Sequence, residues 1–238
     1  MSRIGVFGGM GPSATVDFMD KLIKLTPATR DQDHIPMLVA NLPHTYDRSS
    51  AILGNGRDPL PQLLAGIDVL NHAGVGVIAI PCNSSHHWFD EMSQHSRVPL
   101  LHIARACVAA VSPVGAPRVA IFATRGALAS GFYQRELKVK GIDFLLPDPD
   151  AGQLDVDRCI REIKAGHFEA GGAHLGQACK AMAAQGATSL IMGCTELPIA
   201  SRYANVAGLT LLDSSLELAR ASVQYALARG WNKPGWGS

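Results

Sequence analysis

A gapless internal repeat constrains the fold of this chain more than any other feature. Residues 63–86 (LLAGIDVLNHAGVGVIAIPCNSSH) align on residues 175–198 (LGQACKAMAAQGATSLIMGCTELP) at an offset of 112 residues. Within this match, Gly74 falls on Gly186 and Cys82 falls on Cys194. Residues 99–102 map onto 210–213 in the same way, and residues 4–7 resemble 119–122. The sequence therefore predicts that the 238-residue chain is a duplication of one small domain.

Each repeat alternates short β-rich runs with longer helical patterns. In the first, strands are predicted at 3–8, 36–42 and 75–80, and helices at 13–25 and 61–73. The first helix has Val16, Met19, Leu22 and Ile23 on its apolar face. Such alternation is typical of parallel βαβ units with helices on both faces of a sheet. The predicted fold class is α/β, with two open, flavodoxin-like parallel-sheet domains.

Composition excludes several classes of protein. Apolar residues make up 47% of the chain, charged residues 17%, and the formal net charge is +1, which argues against a nucleic-acid partner. No run of about eighteen apolar residues is present, so neither a transmembrane helix nor a membrane partner is expected. The apolar run at the start is too short for a signal peptide. Five cysteines without a CxxC motif favour a reduced, cytoplasmic setting.

The glycine-rich stretch after the first predicted strand invites a nucleotide-binding interpretation. Residues 9–14 fit G-x-G-x-x-A, but the second strand ends at 39–43 without the acidic residue that a ribose requires. No G-K-[ST] follows a glycine-rich loop either, which excludes a P-loop. We expect this loop instead to bring backbone N–H groups close to a carboxylate or to the neighbouring domain.

The two matched cysteines carry the strongest chemical signal. Cys82 and Cys194 each follow a buried strand and precede a helix start, where Asn83 and Thr195 are suitable capping residues. Backbone N–H donors and a helix dipole at such a position favour thiolate over thiol. The alternative is a buried, inert cysteine, which is common for a single one; two at equivalent strand ends favour a functional pair. Packing roles are predicted for the other cysteines, Cys107, Cys159 and Cys179.

Two cations are candidates for binding an acidic substrate. Arg48 lies in a polar stretch after the second strand, and Lys164 borders the apolar face of a helix predicted at 155–167. For each of them the alternative is a solvated surface side chain without a binding role. Arg158 and Arg161 are competing candidates for the role of Lys164. No histidine spacing is typical of a zinc site, so no metal is predicted.

These segments together resemble the aspartate/glutamate racemase superfamily, and most closely its cofactor-independent aspartate racemase branch. The resemblance spans essentially the whole chain and rests on residues 8–15, Asp47-Arg48, Pro81–His86, Ser130–Tyr133 and Gly193–Pro198.

The resemblance implies two pseudo-symmetric domains that face a shared cleft, commonly in a homodimer. It divides the chain into a first domain, 1–106 plus 208–238, and a second domain, 107–207. It makes Cys82 and Cys194 the catalytic pair, and it implies no cofactor. The residues that it assigns to a small acidic amino-acid substrate are Met10, Arg48, Asn83, Ser84, Ser85, Thr124, Lys164 and Thr195.

The chain departs from the family pattern at two places. The usual T-x-G-T reads Thr124-Arg125-Gly126-Ala127, so one hydroxyl that could contact substrate is missing and an arginine is added. A serine, Ser84, replaces the threonine after Cys-Asn.

The predicted function is the interconversion of L- and D-aspartate, with glutamate second, by one thiol and one thiolate on opposite faces of Cα. Several alternatives remain open. Maleate isomerase also uses two cysteines, whereas arylmalonate decarboxylase uses one. Glutamate racemases usually carry histidine where this chain has Glu196. A non-catalytic acidic amino-acid binding protein is the alternative from another class.

Overall fold

The computed structural model describes residues 3–112 and 118–233. The strands of this part of the chain are β1 Ile4–Gly8, β2 Met37–Asn41, β3 Val77–Ala79, β4 Leu100–Leu101, β5 Arg118–Ala123, β6 Asp143–Leu145, β7 Ser189–Gly193 and β8 Thr210–Asp213. Its α-helices are α1 Pro12–Leu25, α2 Arg48–Ile52, α3 Leu60–His72, α4 Phe89–His95, α5 Ile103–Ala109, α6 Arg125–Ser130, α7 Phe132–Val139, α8 Ala151–Lys164, α9 Phe168–Ala184, α10 Leu197–Ala200 and α11 Ser214–Leu227. Short 3-10 helices lie at Asp31–Asp33, Ser84–Trp88 and Ser201–Tyr203.

The strands form two separate parallel sheets of the same topology. The first has the order β2-β1-β3-β4 and the second the order β6-β5-β7-β8. Strands β3 and β7, which the repeat aligns, therefore hold the same place in their sheets. Helices flank both sheets, so the predicted duplicated α/β fold is confirmed.

The last helix of each repeat packs against the sheet of the other repeat. Ala104 and Cys107 of α5 share a core cluster with Val119 of β5. Leu218 and Val223 of α11 likewise share one with strand β1. This exchange buries apolar surface from both repeats in each core and so holds the two halves together.

Equivalent side chains begin the two exchanged helices. The His102 ring accepts hydrogen bonds from the backbone N–H groups of Ala104 and Arg105 at the start of α5. The Asp213 carboxylate accepts them from Ser215 and Leu216 at the start of α11. Both residues satisfy N–H groups that a helix leaves unpaired in its first turn.

The predicted apolar face of α1 is right at Leu22 but wrong at Val16 and Ile23, which are exposed. The side of α1 that is buried carries Thr15, Phe18 and Leu22, whereas Val16 is 66% exposed. The Thr15 hydroxyl accepts from the Gly9 N–H (2.8 Å) and donates to the Gly11 carbonyl (3.0 Å), so a polar residue sits on the buried face. Hydrophobic periodicity alone gave the wrong orientation because it treated this threonine as solvent-facing.

The domain limits predicted from the sequence stay a prediction. Helix α11 packs on the first sheet, but β8, which lies in the segment assigned to the first domain, pairs with β7 in the second sheet. Residues 1–2, 113–117 and 234–238, which fall within the predicted limits, lie outside the described residues. In the described ranges, no helix is long and apolar enough to cross a bilayer.

Candidate active site

A small cavity of about 90 Å³ opens at the carboxyl ends of strands from both sheets. Ligands of open α/β sheets bind at this edge. The segments after β1, β3, β5 and β7 all contribute to it, together with the start of α2 and the end of α8. Its lining residues are Met10, Asp47, Arg48, Ser49, Cys82, Asn83, Ser84, Thr124, Lys164, Gly193, Cys194, Thr195 and Glu196.

The two matched cysteines both line this cavity. Cys82 is 6% exposed and Cys194 7% exposed, and each follows the third strand of its sheet. Cys107, Cys159 and Cys179 are fully buried in apolar clusters, as their predicted packing role requires. The structure therefore separates the five cysteines as the repeat predicts.

A carboxylate lies directly against the second cysteine. The Cys194 thiol donates to Glu196 Oε2 at 2.9 Å, and the Thr195 hydroxyl donates to the same oxygen at 3.2 Å. Burial, and after it the charge and hydrogen bond of Glu196, raise the pKa of Cys194 well above its usual value, with Lys164 opposing. Burial and then the negative charge of Glu196 thus oppose the thiolate form that we expected at Cys194.

Neither predicted capping residue uses its side chain as a cap. The Asn83 amide donates to the Ser214 hydroxyl at 3.1 Å, and its oxygen accepts from the Tyr133 hydroxyl at 2.5 Å. Helix α10 has Glu196, not Thr195, as its N-cap residue. Only short helical segments follow the two cysteines, so no long helix dipole points at either sulfur.

Ser84 and Ser85 face different surroundings. The Ser84 hydroxyl lies in the cavity, 3.1 Å from the Thr124 hydroxyl. Ser85 is fully buried and donates to the Cys82 carbonyl at 2.8 Å, outside the cavity lining. The structure thus brings Ser84 to the site and leaves Ser85 as a support for the Cys82 backbone.

Arg48 is held in place by backbone oxygens. Its guanidinium donates to the carbonyls of Thr45 (3.1 Å), Tyr46 (2.9 Å) and Met10 (3.4 Å). The last contact joins α2 to the glycine-rich loop after β1. A guanidinium fixed at the cavity edge is well suited to binding a carboxylate.

Asp47 is a second carboxylate of the cavity. Its Oδ1 accepts from the Ser50 N–H at 2.7 Å, which caps α2. Burial raises the pKa of Asp47, but the hydrogen bonds from Ser50 and the charges of Arg48 and Lys164 outweigh it and hold that pKa below its usual value.

Lys164 reaches the cavity from the last turn of α8. Its ammonium lies 3.8 Å from Glu196 Oε1, and its side chain is 62% exposed. Arg158 and Arg161, which the sequence leaves as competitors, are outside the cavity lining. The lysine can therefore move toward a ligand without breaking a tight ion pair.

His86 supports the Cys82 segment from behind. Its Nδ1 lies 2.9 Å from the Cys82 carbonyl oxygen, and its Nε2 accepts from the Ile103 N–H at 3.1 Å. The first contact requires a proton on Nδ1 and the second a lone pair on Nε2, so the ring is neutral. Burial lowers the pKa of His86 to about 4, against the opposing contact with Cys82.

Of the three residues that depart from the family pattern, Arg125 and Ala127 lie outside the cavity, whereas Ser84 lines it. The Arg125 guanidinium binds Asp157 Oδ2 at 2.6 Å on the protein surface. The side chain of Ala127 is 1% exposed and packs in the core of the second half. Position 127 does not line the cavity, so the hydroxyl of the family's usual threonine is not missing from the cavity lining.

Sequence reasoning missed the cavity roles of Asp47, Ser49 and Glu196. A signal was present for two of them, since Asp47 precedes Arg48 and Glu196 lies two residues after Cys194. Among the residues described, no group of three or more His, Cys, Asp or Glu is arranged to hold a metal ion.

The comparisons with known proteins agree with this geometry. A family model described as Asp/Glu/Hydantoin racemase matches residues 7–222. The chain belongs to this family. The resemblance inferred from the sequence is thereby confirmed.

Two relatives cover nearly the whole length of this racemase-family chain. RacX, a broad-specificity amino-acid racemase of Bacillus subtilis, is 30% identical over 230 residues, which are 94% of this chain and 98% of the relative. The structure of Picrophilus torridus aspartate racemase has a TM-score of 0.83 at 27% identity, covering 95% of this chain and 94% of that one.

A third match shows the fold alone. Glutamate racemase from Francisella tularensis, solved with D-glutamate, has a TM-score of 0.71 at 18% identity, covering 97% of this chain and 82% of that one.

Proposed function

We propose that this protein is a cofactor-independent racemase that interconverts the L and D forms of an acidic amino acid, aspartate first and glutamate second. One observation carries the proposal. Cys82 and Cys194, at equivalent strand ends, line the same small cavity as Arg48 and Lys164.

Racemisation needs a proton removed from one face of Cα and another delivered to the opposite face. One cysteine enters as thiolate, and its new S–H bond forms as the Cα–H bond breaks. The other enters as thiol, and its S–H bond breaks as a new Cα–H bond forms on the other face. The roles exchange for the opposite enantiomer, and no redox partner is needed.

The charges of the cavity suit an acidic amino acid. The cations of Arg48 and Lys164 complement two carboxylates, and the carboxylate of Asp47 complements one ammonium. The fourth charged group, Glu196, already accepts from the Cys194 thiol. The cations also stabilise the charge that develops on the substrate carboxylate as Cα loses its proton. The hydroxyls of Ser84, Thr124 and Thr195 are further donors in the cavity.

The test is a substrate panel in deuterated water without added cofactor. L- and D-aspartate, L- and D-glutamate and both forms of alanine are incubated with the protein, and α-deuteration and enantiomer ratio are measured. We expect both changes for aspartate, smaller ones for glutamate and none for alanine.

Other outcomes decide between the alternatives. Exchange of alanine at a similar rate would instead indicate broad specificity, which is what the name of RacX describes. Consumption of maleate without any exchange would indicate isomerisation, and calorimetric binding without exchange a binding protein. The homodimer and the cytoplasmic location remain part of the proposal; light scattering tests the former.

A further inference from the structure

We propose that Glu196 is a positioning residue that holds Cys194 as a neutral thiol in the resting protein, so that Cys82 acts as the first base and Cys194 as the first acid. This inference rests on the proposed function. It names the resting state of the same site, which the racemase proposal leaves open.

The hydrogen bond between the two side chains sets the direction of the effect. The Cys194 sulfur lies 2.9 Å from Glu196 Oε2, and an ionised carboxylate can only accept at this contact. The proton of the pair therefore stays on the sulfur. Thr195 donates to the same carboxylate oxygen at 3.2 Å and holds it in place.

The first repeat has no equivalent carboxylate. At the offset of 112 residues, Glu196 aligns with Ser84. The Ser84 hydroxyl is neutral, and its contact is with Thr124 at 3.1 Å. Within residues 3–112 and 118–233, no hydrogen bond joins the Cys82 sulfur to a carboxylate. The duplicated site is therefore symmetric in its cysteines and asymmetric in the charge beside them.

Other charges around Cys194 do not cancel this asymmetry. Lys164 opposes Glu196, but its ammonium is 3.8 Å from the carboxylate and its side chain is mostly exposed. The other titratable and charged groups of the cavity are Asp47 and Arg48 from α2 and Cys82 from the first half. Outside the lining, Tyr133 of α7 interacts electrostatically with Cys194.

The negative charge of Glu196 determines how the two cysteines return to their resting protonation states after each turnover. When Cys194 gives its proton to Cα and Cys82 takes one, the new Cys194 thiolate faces a carboxylate, which is an unfavourable arrangement of like charges. Return of a proton to Cys194 and loss of one from Cys82 relieve it. The resting protein is thus ready for the enantiomer whose Cα–H faces Cys82.

A kinetic consequence follows for the two directions. Because the enantiomers are equal at equilibrium, kcat/KM is the same in both directions for any variant. The asymmetry must therefore appear as different kcat and KM values for the L and D forms. The Glu196→Gln variant should bring these values closer together.

The direct test is alkylation of each cysteine by iodoacetamide as a function of pH, followed by peptide mapping. Iodoacetamide reacts with the thiolate, so the midpoint of the rate reports the ionisation of each sulfur. In the unmodified protein, Cys82 should react faster than Cys194. In Glu196→Gln the Cys194 rate near neutral pH should rise roughly tenfold or more, with a midpoint at lower pH, because one pKa unit is a factor of ten.

Two further variants separate charge from structure. Glu196→Asp keeps the carboxylate and should leave Cys194 slow. The exposed Glu91 of α4 offers a matched loss of charge, and Glu91→Gln should leave both rates unchanged.

Three results would overturn the proposal: equal reactivity of Cys82 and Cys194 in the unmodified protein, an unchanged Cys194 midpoint in Glu196→Gln, or a faster rate at an unchanged midpoint. The last would mean that the substitution only opens the cavity. Alkylation needs no turnover, so each of these results stands apart from a failure of the racemase proposal itself.

Discussion

The hydroxyl oxygen of Ser84 lies 3.1 Å from that of Thr124, and the two residues come from different halves of the duplicated fold. Ser84 follows β3 of the first sheet, and Thr124 follows β5 of the second. The Thr124 hydroxyl also accepts from the Ala127 N–H at 3.2 Å and so caps α6. A single hydroxyl therefore joins the halves and begins a helix inside the candidate active site.

Removal of this hydroxyl should affect stability and substrate binding together. We expect Thr124→Val to lower the free energy of unfolding by about 1–2 kcal/mol, the usual cost of a lost N-cap, and to raise KM for aspartate roughly tenfold. Denaturant unfolding and initial rates measure the two effects. Thr124→Ser keeps the hydroxyl and should retain both values; a Thr124→Val variant with unchanged KM would show that the hydroxyl does not contact substrate.

The close approach of Gly126 to α2 should control the position of Arg48. The Gly126 N–H donates to the Ser49 hydroxyl at 3.1 Å, and a Cβ at this glycine would lie 2.7 Å from Ser49 Cα. Because backbone must move to relieve such a contact, Gly126→Ala should displace α2 and raise KM by roughly tenfold, with a smaller change in kcat.

A second glycine provides the control. At Gly176, in α9, an added Cβ would come no closer than 3.3 Å, to the Asn205 carbonyl oxygen. Gly176→Ala should therefore leave KM unchanged. Equal KM values for Gly126→Ala and the unmodified protein would contradict a role for this approach in placing Arg48.

Loss of the positive charge of Arg48 or of Lys164 should selectively weaken the binding of acidic substrates. Arg48→Gln removes a guanidinium fixed by three carbonyls, and we expect KM for aspartate to rise by roughly 10- to 100-fold, since a charged hydrogen bond contributes about 1.5–3 kcal/mol. Lys164→Gln should have a smaller effect because that side chain is mostly exposed. Arg158, exposed on the same helix as Lys164, supplies the control: Arg158→Gln should behave as the unmodified protein. Equal effects of all three would mean a general loss of charge rather than a binding site.

Buried, neutral His86 should make stability depend on pH below neutrality. Burial lowers the pKa of His86 to about 4 from its usual 6.5, so the unfolded chain binds a proton in this window and the folded one does not. The contribution of neutral His86 to the free energy of unfolding is fully present above pH 6.5. It is lost as the pH falls toward 4, by about 3 kcal/mol at most. Urea unfolding at several pH values should show this decline.

A variant without the imidazole isolates this effect. His86→Gln should be less stable at neutral pH and should show a shallower decline across the same window. The exposed His44 is the control, and His44→Gln should keep the full decline. Parallel pH profiles for His86→Gln and the unmodified protein would rule out His86 as the cause.

The sequence predicts the features of the fold that depend on the repeat. The gapless match of 63–86 on 175–198 requires that Cys82 and Cys194 follow equivalent strands, and both line one cavity in the structure. The repeat does not predict the exchange of α5 and α11 between the sheets, although the family resemblance places 208–238, which contains α11, with the first domain. Both helices are apolar on one side, and local periodicity does not indicate which of two sheets an apolar side contacts.

The electrostatics of the site were the least predictable part. A cysteine between a strand end and a helix start generally favours the thiolate form. The Cys194 thiol, however, donates a hydrogen bond to the carboxylate of Glu196, two residues further along the chain. Asn83 does stand at the N-cap position after β3, but its side chain makes no capping bond, because Tyr133 and Ser214 bind its amide from elsewhere in the fold. Such side-chain contacts depend on tertiary structure, which residue type and spacing do not contain.

Solvent deuterium at Cα of aspartate is the most direct measure of the two-cysteine reaction. The unmodified protein, Cys82→Ser, Cys194→Ser and the control Cys107→Ala are each incubated with L- and with D-aspartate in deuterated water. We predict racemisation with α-deuteration for the unmodified protein and the control, and loss of racemisation by at least about a thousandfold in each serine variant. Substantial racemisation by either serine variant would contradict the account.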